Sequence, residues 1–169
     1  MTINQTTTGF RSISHERALL EQEIDDYRAT AKLPEPSTCP QCGAVFHKGR
    51  WQWGTAESDA HSSICPACHR INDNVPAGYV TLEGEFLKDH HEDIIHLIRN
   101  HEQHQRTEHP LKRIMDIERI ENREDALLVT TTDVHLAKGI GEALRHAYQG
   151  ELEIKYTAGE HFLRVHWRR

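Results

Sequence analysis

The chain has 169 residues, a formal net charge of −6 at pH 7 and 37% hydrophobic residues. This composition suits one or two small domains with a modest apolar core, and it argues against broad nonspecific binding to nucleic acid, which needs a positive surface. No apolar run of 18 residues occurs, and residues 1–10 lack the apolar core of a signal peptide. We therefore expect an unexported protein of the reducing cytoplasm, without a membrane segment.

The N-terminal segment precedes the region that carries the cysteines. Residues 1–13 are polar and rich in threonine, which is typical of a disordered segment. Ser14 is a candidate N-cap for a short helix, and two prolines then predict a linker. Residues 14–37 are accordingly assigned to a helix and a linker.

All four cysteines of the chain occur in two CxxC pairs, which are Cys39 with Cys42 and Cys65 with Cys68. Each pair places two thiolates on one tight turn, and four sulfur ligands around one ion suit tetrahedral zinc. Two disulfides are the main alternative, and a redox-active pair is a weaker one because neither CxxC lies in a βαβ unit. We predict a zinc ribbon over 38–85, with one zinc per chain. Four sulfur ligands leave no open metal position, so we expect no enzymatic activity and no small-molecule substrate.

A connecting helix is predicted over 86–111, where Asp89 and Glu92 have the spacing of a capping box. Histidines are frequent in this segment, and three side chains share one helical face: His101, His104 and Glu108. They could bind a second metal or transfer protons near neutral pH. The alternative is an exposed helix in a histidine-rich sequence.

Residues 112–169 have the pattern of a small α/β domain. The predicted elements are strands over 113–120 and 126–132, a helix from its cap Asp133 to Gln149, and a hairpin of strands over 152–156 and 162–167 that turns at Ala158-Gly159. The order ββαββ predicts a small antiparallel or mixed sheet with one helix covering a face. The fold class is therefore α+β, a zinc ribbon followed by a helix and a small ββαββ domain.

Cations and aromatic residues are interleaved in the predicted ribbon. Arg50 and Arg70 could pair with phosphates, while Trp51 and Trp53 offer flat faces for bases. The alternative for each tryptophan is a structural one, because a ribbon this small has few other residues with which to cover its metal site.

The C-terminal segment holds the main concentration of basic residues, which are Arg164, Arg168 and Arg169. A strand period of two places Arg164, His166 and Arg168 on one face of the final strand. Such a face could contact RNA phosphates. A charged row on a sheet edge could equally protect the edge from aggregation.

Several short motifs together resemble those of a group of small bacterial zinc-ribbon proteins of unknown function: Cys39-Pro-Gln-Cys42-Gly, Gly49-Arg-Trp, Cys65-Pro-Ala-Cys68-His-Arg-Ile, Pro76-Ala-Gly, Glu108-His-Pro-Leu and Thr130-Thr-Thr-Asp-Val-His-Leu-Ala. The resemblance covers about residues 38–168. That group is in turn similar to the N-terminal part of the ribosomal export adaptor, nonsense-mediated decay protein three. The adaptor carries more CxxC pairs than the two found here, so a second zinc site is expected to be missing.

The resemblance implies a partner that is the ribosome or structured RNA, bound without catalysis. Two other classes of function stay open. The acidic net charge favours a protein–protein adaptor, and the histidines leave room for a metalloenzyme.

Overall fold

The computed structural model describes Tyr27, residues 32–156 and residues 161–169. The predicted disordered segment 1–13, the helix beginning at Ser14 and the turn at Ala158-Gly159 lie outside these residues. The first sheet contains four short strands: β1 (Ser37–Thr38), β2 (Val45–His47), β3 (Arg50–Gln52) and β4 (His61–Ser62). Their order is β3-β2-β1-β4, with β1 and β4 parallel and the other neighbours antiparallel. Helix α1 (Pro66–Asp73) follows.

The second sheet contains five strands: β5 (Gly78–Glu83), β6 (Ile114–Arg119), β7 (Ala126–Thr131), β8 (Glu151–Tyr156) and β9 (Leu163–Arg168). Their order is β6-β7-β5-β9-β8, and the sheet is mixed because β5 is antiparallel to β7 and parallel to β9. Three helices accompany it: α2 (Glu85–Asp89), α3 (His91–Glu108) and α4 (Val134–Tyr148). The predicted α+β fold and the predicted ββαββ strands and helix are confirmed.

Strand β5 corrects the predicted extent of the ribbon. The interval 38–85 includes this strand, but β5 is the central strand of the second sheet. Its side chains alternate, with Val80 and Leu82 fully buried. Gly78 lies so close to α4 that an added Cβ would come within 2.4 Å of the Ala137 Cβ. The alternation in the sequence indicates a half-buried strand, but it does not say which sheet the strand joins.

Helix α3 also differs from its prediction. The helix exists and ends at Glu108, but its N-cap is His90, which makes no side-chain capping bond, so the predicted capping box of Asp89 and Glu92 is wrong. A separate short helix, α2, ends at Asp89. Ile94 and Ile98 of α3 are fully buried in the core of the second sheet. The sheet is therefore covered by α3 as well as by the one predicted helix, α4.

The core lies between one face of the five-stranded sheet and these helices. Trp167, Leu82 and Ile140 are among its fully buried side chains. On the opposite face, which we call the open face, alternate side chains of β5 and β9 are exposed or partly exposed. They are Tyr79, Thr81 and Glu83 on β5 and Arg164, His166 and Arg168 on β9. Across the described ranges, none of the helices has both the length and the apolar character needed to span a bilayer.

Candidate metal centre and sheet surface

The four cysteine sulfurs come together in the ribbon. All four Sγ atoms lie within 4.8 Å of one another, and those of Cys42 and Cys65 are 3.7 Å apart. Four sulfurs placed about 2.3 Å from a zinc ion would have tetrahedral edges of about 3.8 Å. The thiols are not joined in disulfides, so the alternative of two disulfide bonds is wrong. The cluster therefore fits one metal ion.

Two different local structures present the two pairs. Cys39 and Cys42 lie on the turn between β1 and β2, which is closed by bonds from the Cys39 N–H to the Ala44 carbonyl (2.8 Å) and from the Gly43 N–H to the Cys39 carbonyl (2.9 Å). Gly43 has a φ of +80°, a conformation that glycine adopts without strain. Cys65 is the N-cap of α1, and its sulfur accepts a hydrogen bond from the Cys68 N–H at 3.4 Å. A helix start therefore fixes the second pair.

Burial and backbone hydrogen bonds give the thiols of Cys39 and Cys65 different pKa values. Burial opposes ionisation of Cys39, but N–H groups of Cys65, Cys42 and Gln41 outweigh it and lower the pKa of Cys39 to about 7. Burial raises the pKa of Cys65, and the neighbouring cysteines raise it further. A cation is therefore needed before all four thiols can be ionised together.

Arg113 is a contact of the metal site that sequence reasoning missed. Its Nη2 donates to the sulfur of Cys68 at 3.1 Å and approaches that of Cys65 at 3.5 Å, and the residue is only 7% exposed. Burial alone would lower the pKa of Arg113, but the bond to Cys68 and the charge of the nearby thiolates raise it. No sequence signal identifies this residue, since it lies 45 positions from Cys68 at the start of an ordinary strand pattern.

The two tryptophans of the ribbon have structural positions. Trp51 is partly buried and packs against the cysteine cluster together with Ile64 and Leu111. Trp53 donates its Nε1 hydrogen to the carbonyl of Arg106 on α3 at 2.6 Å and remains 36% exposed. The structural alternative is therefore confirmed for Trp51, whereas Trp53 connects the ribbon to α3.

The predicted ribbon patch of Arg50 and Arg70 does not form a pair of exposed cations. Arg50 is exposed on β3. Arg70 is 5% exposed, and its Nη1 donates to the Val75 carbonyl at 3.1 Å just beyond α1. Its guanidinium also lies 4.4 Å from the ring centroid of Tyr27. Arg70 thus has a structural role that the sequence did not indicate, and its burial removes it as a phosphate contact.

The C-terminal arginines divide between two sides of the sheet. Arg164 and Arg168 are exposed on the open face, as the strand period predicts. Strand β9 lies between β5 and β8, so the interpretation of these residues as edge protection is wrong. Arg169 lies on the helical side, where its guanidinium is 4.1 Å from the ring centroid of Phe86 and its Nη1 donates to the Tyr148 carbonyl.

A groove of about 580 Å³ crosses the open face. Tyr79 and Phe162 meet edge to face there, with ring centroids 5.2 Å apart, and the guanidinium of Arg164 lies 4.6 Å from the Phe162 centroid. The remaining lining residues are Thr81, Leu128, Glu153, Lys155, Val165 and His166. Sequence reasoning did not select Tyr79 or Phe162, although aromatic residues at outward positions of alternating strands are the relevant signal.

Two acids on this face, Glu83 and Glu153, are paired. Glu83 accepts a hydrogen bond from Arg123 at 2.8 Å and lies 2.9 Å from the Nε2 of His166. The bond from Arg123, followed by the charge of His166, lowers the pKa of Glu83. Glu153 lies 2.7 Å from the Nζ of Lys155. Their negative charges are therefore partly neutralised locally.

The predicted histidine site is not assembled. Among the residues that the structure describes, the four cysteines are the only group of potential ligands close enough to hold a metal, so His101, His104 and Glu108 do not form one. His101 instead packs against α4, where an added Cβ on Gly139 would come within 2.7 Å of its Nε2. Burial, followed by the charge of His104, lowers the pKa of His101.

Comparison with protein-family models, curated protein sequences and solved structures gave no significant match. The four-cysteine cluster, presented by a turn between short strands and by the start of α1, is consistent with a zinc-ribbon-like site, and no family is identified.

Proposed function

We propose that this chain is a non-catalytic zinc protein that binds structured RNA, such as that of the ribosome, through the open face of its five-stranded sheet. One observation carries the proposal: the helices that the structure describes pack on one face of the sheet, while the other face presents aromatic rings beside cations in a groove. Sheet-based RNA-binding modules stack unpaired bases on aromatic residues of neighbouring strands in this manner.

The metal is assigned a structural role. Four thiolates would complete the tetrahedron around zinc, so no coordination position remains for water or a substrate. The residues that would hold zinc are Cys39, Cys42, Cys65 and Cys68, and the chemistry that zinc supplies there is cross-linking of the ribbon.

The residues on β5, β8 and β9 fit the components of an RNA strand. Tyr79 and the adjacent Phe162 supply ring surfaces for bases, and Arg164 supplies a planar fork for a phosphate. Lys155 faces the same groove. Asp116 and Glu118 are exposed on β6 at the far edge of the sheet, where they would repel phosphates. These charges favour a path for the RNA over β5, β9 and β8, away from β6.

Binding of a defined RNA hairpin at several salt concentrations tests this proposal, together with sedimentation of the protein with ribosomal particles. We expect Arg164→Gln to reduce the magnitude of the salt slope by about one unit, because one phosphate contact is lost. Tyr79→Leu should weaken binding by about 1–3 kcal/mol without changing that slope, because a stacked base is lost.

Arg99→Gln is the matched control, since Arg99 is exposed on α3, on the helical side of the sheet. Arg50→Gln measures any contribution of the ribbon. The proposal fails if the wild-type chain neither sediments with ribosomes nor binds RNA at low salt. It also fails if Arg99→Gln and Arg164→Gln have the same effect.

A protein–protein adaptor is the second candidate. The net charge of −6 and two exposed apolar side chains at the end of α1, Ile71 (41%) and Val75 (43%), favour it. An apolar protein interface should bind with little dependence on salt, and Ile71→Ser should weaken it while Arg164→Gln does not.

A further inference from the structure

We propose that Arg113 is an outer-sphere donor to the metal-binding thiolates, and that it makes metal occupancy a condition for the ordered start of strand β6. The inference rests on the proposed zinc site. Arg113 lies outside the ribbon in the sequence, yet its guanidinium is the cation found against the sulfurs of Cys65 and Cys68, at 3.5 and 3.1 Å.

The backbone of Arg113 belongs to the five-stranded sheet. Its N–H donates to the Thr132 Oγ1 at 3.0 Å, and its carbonyl accepts from the Thr132 N–H at 2.9 Å. The same hydroxyl donates to the Leu111 carbonyl at 2.7 Å. Leu111 in turn packs on the cysteine cluster. The segment 111–113 is therefore attached to β7 through its backbone and to the metal site through its side chains.

The positive charge of Arg113 should stabilise the bound metal. Four thiolates around a divalent ion carry a net charge of −2, and a buried charge is costly unless it is paired and hydrogen-bonded. The guanidinium supplies one positive charge and a charge-assisted hydrogen bond to sulfur. It should therefore slow dissociation of the metal.

The contact also affects the sheet when the metal leaves. Without the metal the ribbon loses its cross-link, so the sulfurs of Cys65 and Cys68 no longer hold their places against the guanidinium. Arg113 would then be a buried charged group without its hydrogen-bond acceptors, and it must move towards water. Because its backbone is bonded to Thr132, this movement should loosen the segment 111–114 and its pairing with β7. By linkage, metal binding and order at this point of the sheet stabilise each other.

Hydrogen exchange of the wild-type, full-length protein before and after zinc removal by a chelator tests the inference without a variant. We expect amides of 111–114 and Thr132 to lose protection along with the ribbon, while those of β8 and β9 keep theirs. If residues 111–114 stay protected after zinc has left, the inference is overturned.

Variants then test the contribution of the guanidinium. Arg113→Met removes the charge and retains most of the side-chain length, and we expect zinc release to a colorimetric chelator to accelerate on the order of 10–100-fold. Arg113→Lys should fall between Arg113→Met and the wild type, because an ammonium is a point charge without the planar fork. Arg119→Met is the matched control, since Arg119 is exposed at the other end of β6.

Cobalt substitution supplies a readout that a purely structural role would not change. Loss of a hydrogen bond to sulfur should shift the thiolate-to-cobalt charge-transfer band in Arg113→Met and leave it unchanged in Arg119→Met. Wild-type release kinetics and an unshifted band in Arg113→Met would refute the inference. Failure of the wild-type chain to bind zinc at all would refute the proposed metal site instead, so the two failures are distinguishable.

Discussion

The ribbon and the five-stranded sheet are stabilised in opposite ways within one chain. The buried cluster of the ribbon consists of the cysteines Cys39, Cys65 and Cys68 with two alanines, Ala44 and Ala67. The core of the sheet contains large aliphatic side chains from strands and helices and the fully buried Trp167. Burial of apolar area supplies most of the folding free energy of a domain, and two alanines contribute little of it. We therefore expect the ribbon to depend on a bound metal and most of the sheet to fold without one.

The largest effect is expected when fragments of the chain are produced separately. A fragment of residues 112–169 corresponds to the sequence-predicted domain, but it lacks β5, the central strand between β7 and β9. We expect this fragment to be unfolded. A fragment of residues 76–169 restores β5, α2 and α3, and it should fold without metal. Circular dichroism and thermal unfolding measure both, and a folded 112–169 fragment would contradict the sheet order described here.

Removal of one metal ligand should abolish order in the ribbon and loosen the attached segment 111–114, while the rest of the sheet keeps its order. In Cys65→Ala the ion loses a sulfur and α1 loses its N-cap acceptor, so zinc binding and the fold of residues ~38–75 should fail together. Ser62→Ala is the control, since Ser62 is exposed on β4. Metal content and hydrogen exchange of the purified proteins give the result. Loss of protection in β8 and β9 would show that the two regions form one cooperative unit.

Substitution of a core residue of the sheet should destabilise the sheet and leave metal binding unchanged. Trp167→Ala removes a fully buried ring whose Nε1 donates to the Gln149 carbonyl at 2.8 Å, and we expect a loss of about 3–5 kcal/mol in the free energy of unfolding. Zinc stoichiometry should stay at one per chain. Trp53→Ala, at a side chain that is 36% exposed, should cost much less. Denaturant unfolding followed by circular dichroism compares them, and equal losses would contradict this account.

The smallest expected effect concerns the start of α4. Asp133 is the N-cap of that helix, and its carboxylate accepts from the Leu136 N–H at 2.8 Å. Asp133→Ala should cost about 1 kcal/mol. Burial opposes ionisation of Asp133, but the nearby His135, whose Nδ1 lies 3.7 Å from the carboxylate, and the hydrogen bond from the Leu136 N–H outweigh this and hold the pKa of the carboxyl below its usual value.

A lowered pKa in the folded state stabilises the protein above the unfolded value of about 3.9, and the stabilisation disappears as the pH falls through the folded pKa. The difference in unfolding free energy between the wild type and Asp133→Asn should therefore be largest near neutral pH and should shrink below about pH 4. Unfolding curves at several pH values measure it. A difference that grows on acidification would contradict the sign.

The sequence specified most elements of the sheet domain because their signals are local. The alternation in β6 and β9, the cap at Asp133 and the CxxC pairs each occupy a few neighbouring residues. The position of β5 was wrong because period two reports burial of one face and not the identity of the neighbouring strands. Helix α3 was assigned as a connector because its two buried isoleucines occupy a narrow stripe in a polar helix.

The residues of the candidate site were likewise predicted only in part. The spacing of the cysteines predicts the cluster directly. The burial of Arg70 and the contact between Arg113 and the sulfurs depend on tertiary packing between distant segments, which no pattern within either segment encodes. Tyr79 and Phe162 come together only because β5 and β9 are parallel neighbours, with Gly78 opposite Leu163.

The pairing of Gly78 with Leu163 also affects the order in which the chain can fold during synthesis. The four cysteines and α1 are complete once residue 73 has left the ribosome, so the ribbon can bind its metal early. Strand β5 must wait until β9 has been made, because that parallel neighbour lies near the other end of the described chain. Contacts between distant residues form slowly, and domains fold as units during elongation. The nascent chain should thus pass through a stage in which the ribbon holds its metal but Arg113 does not yet contact the sulfurs. The metal should exchange fastest at that stage.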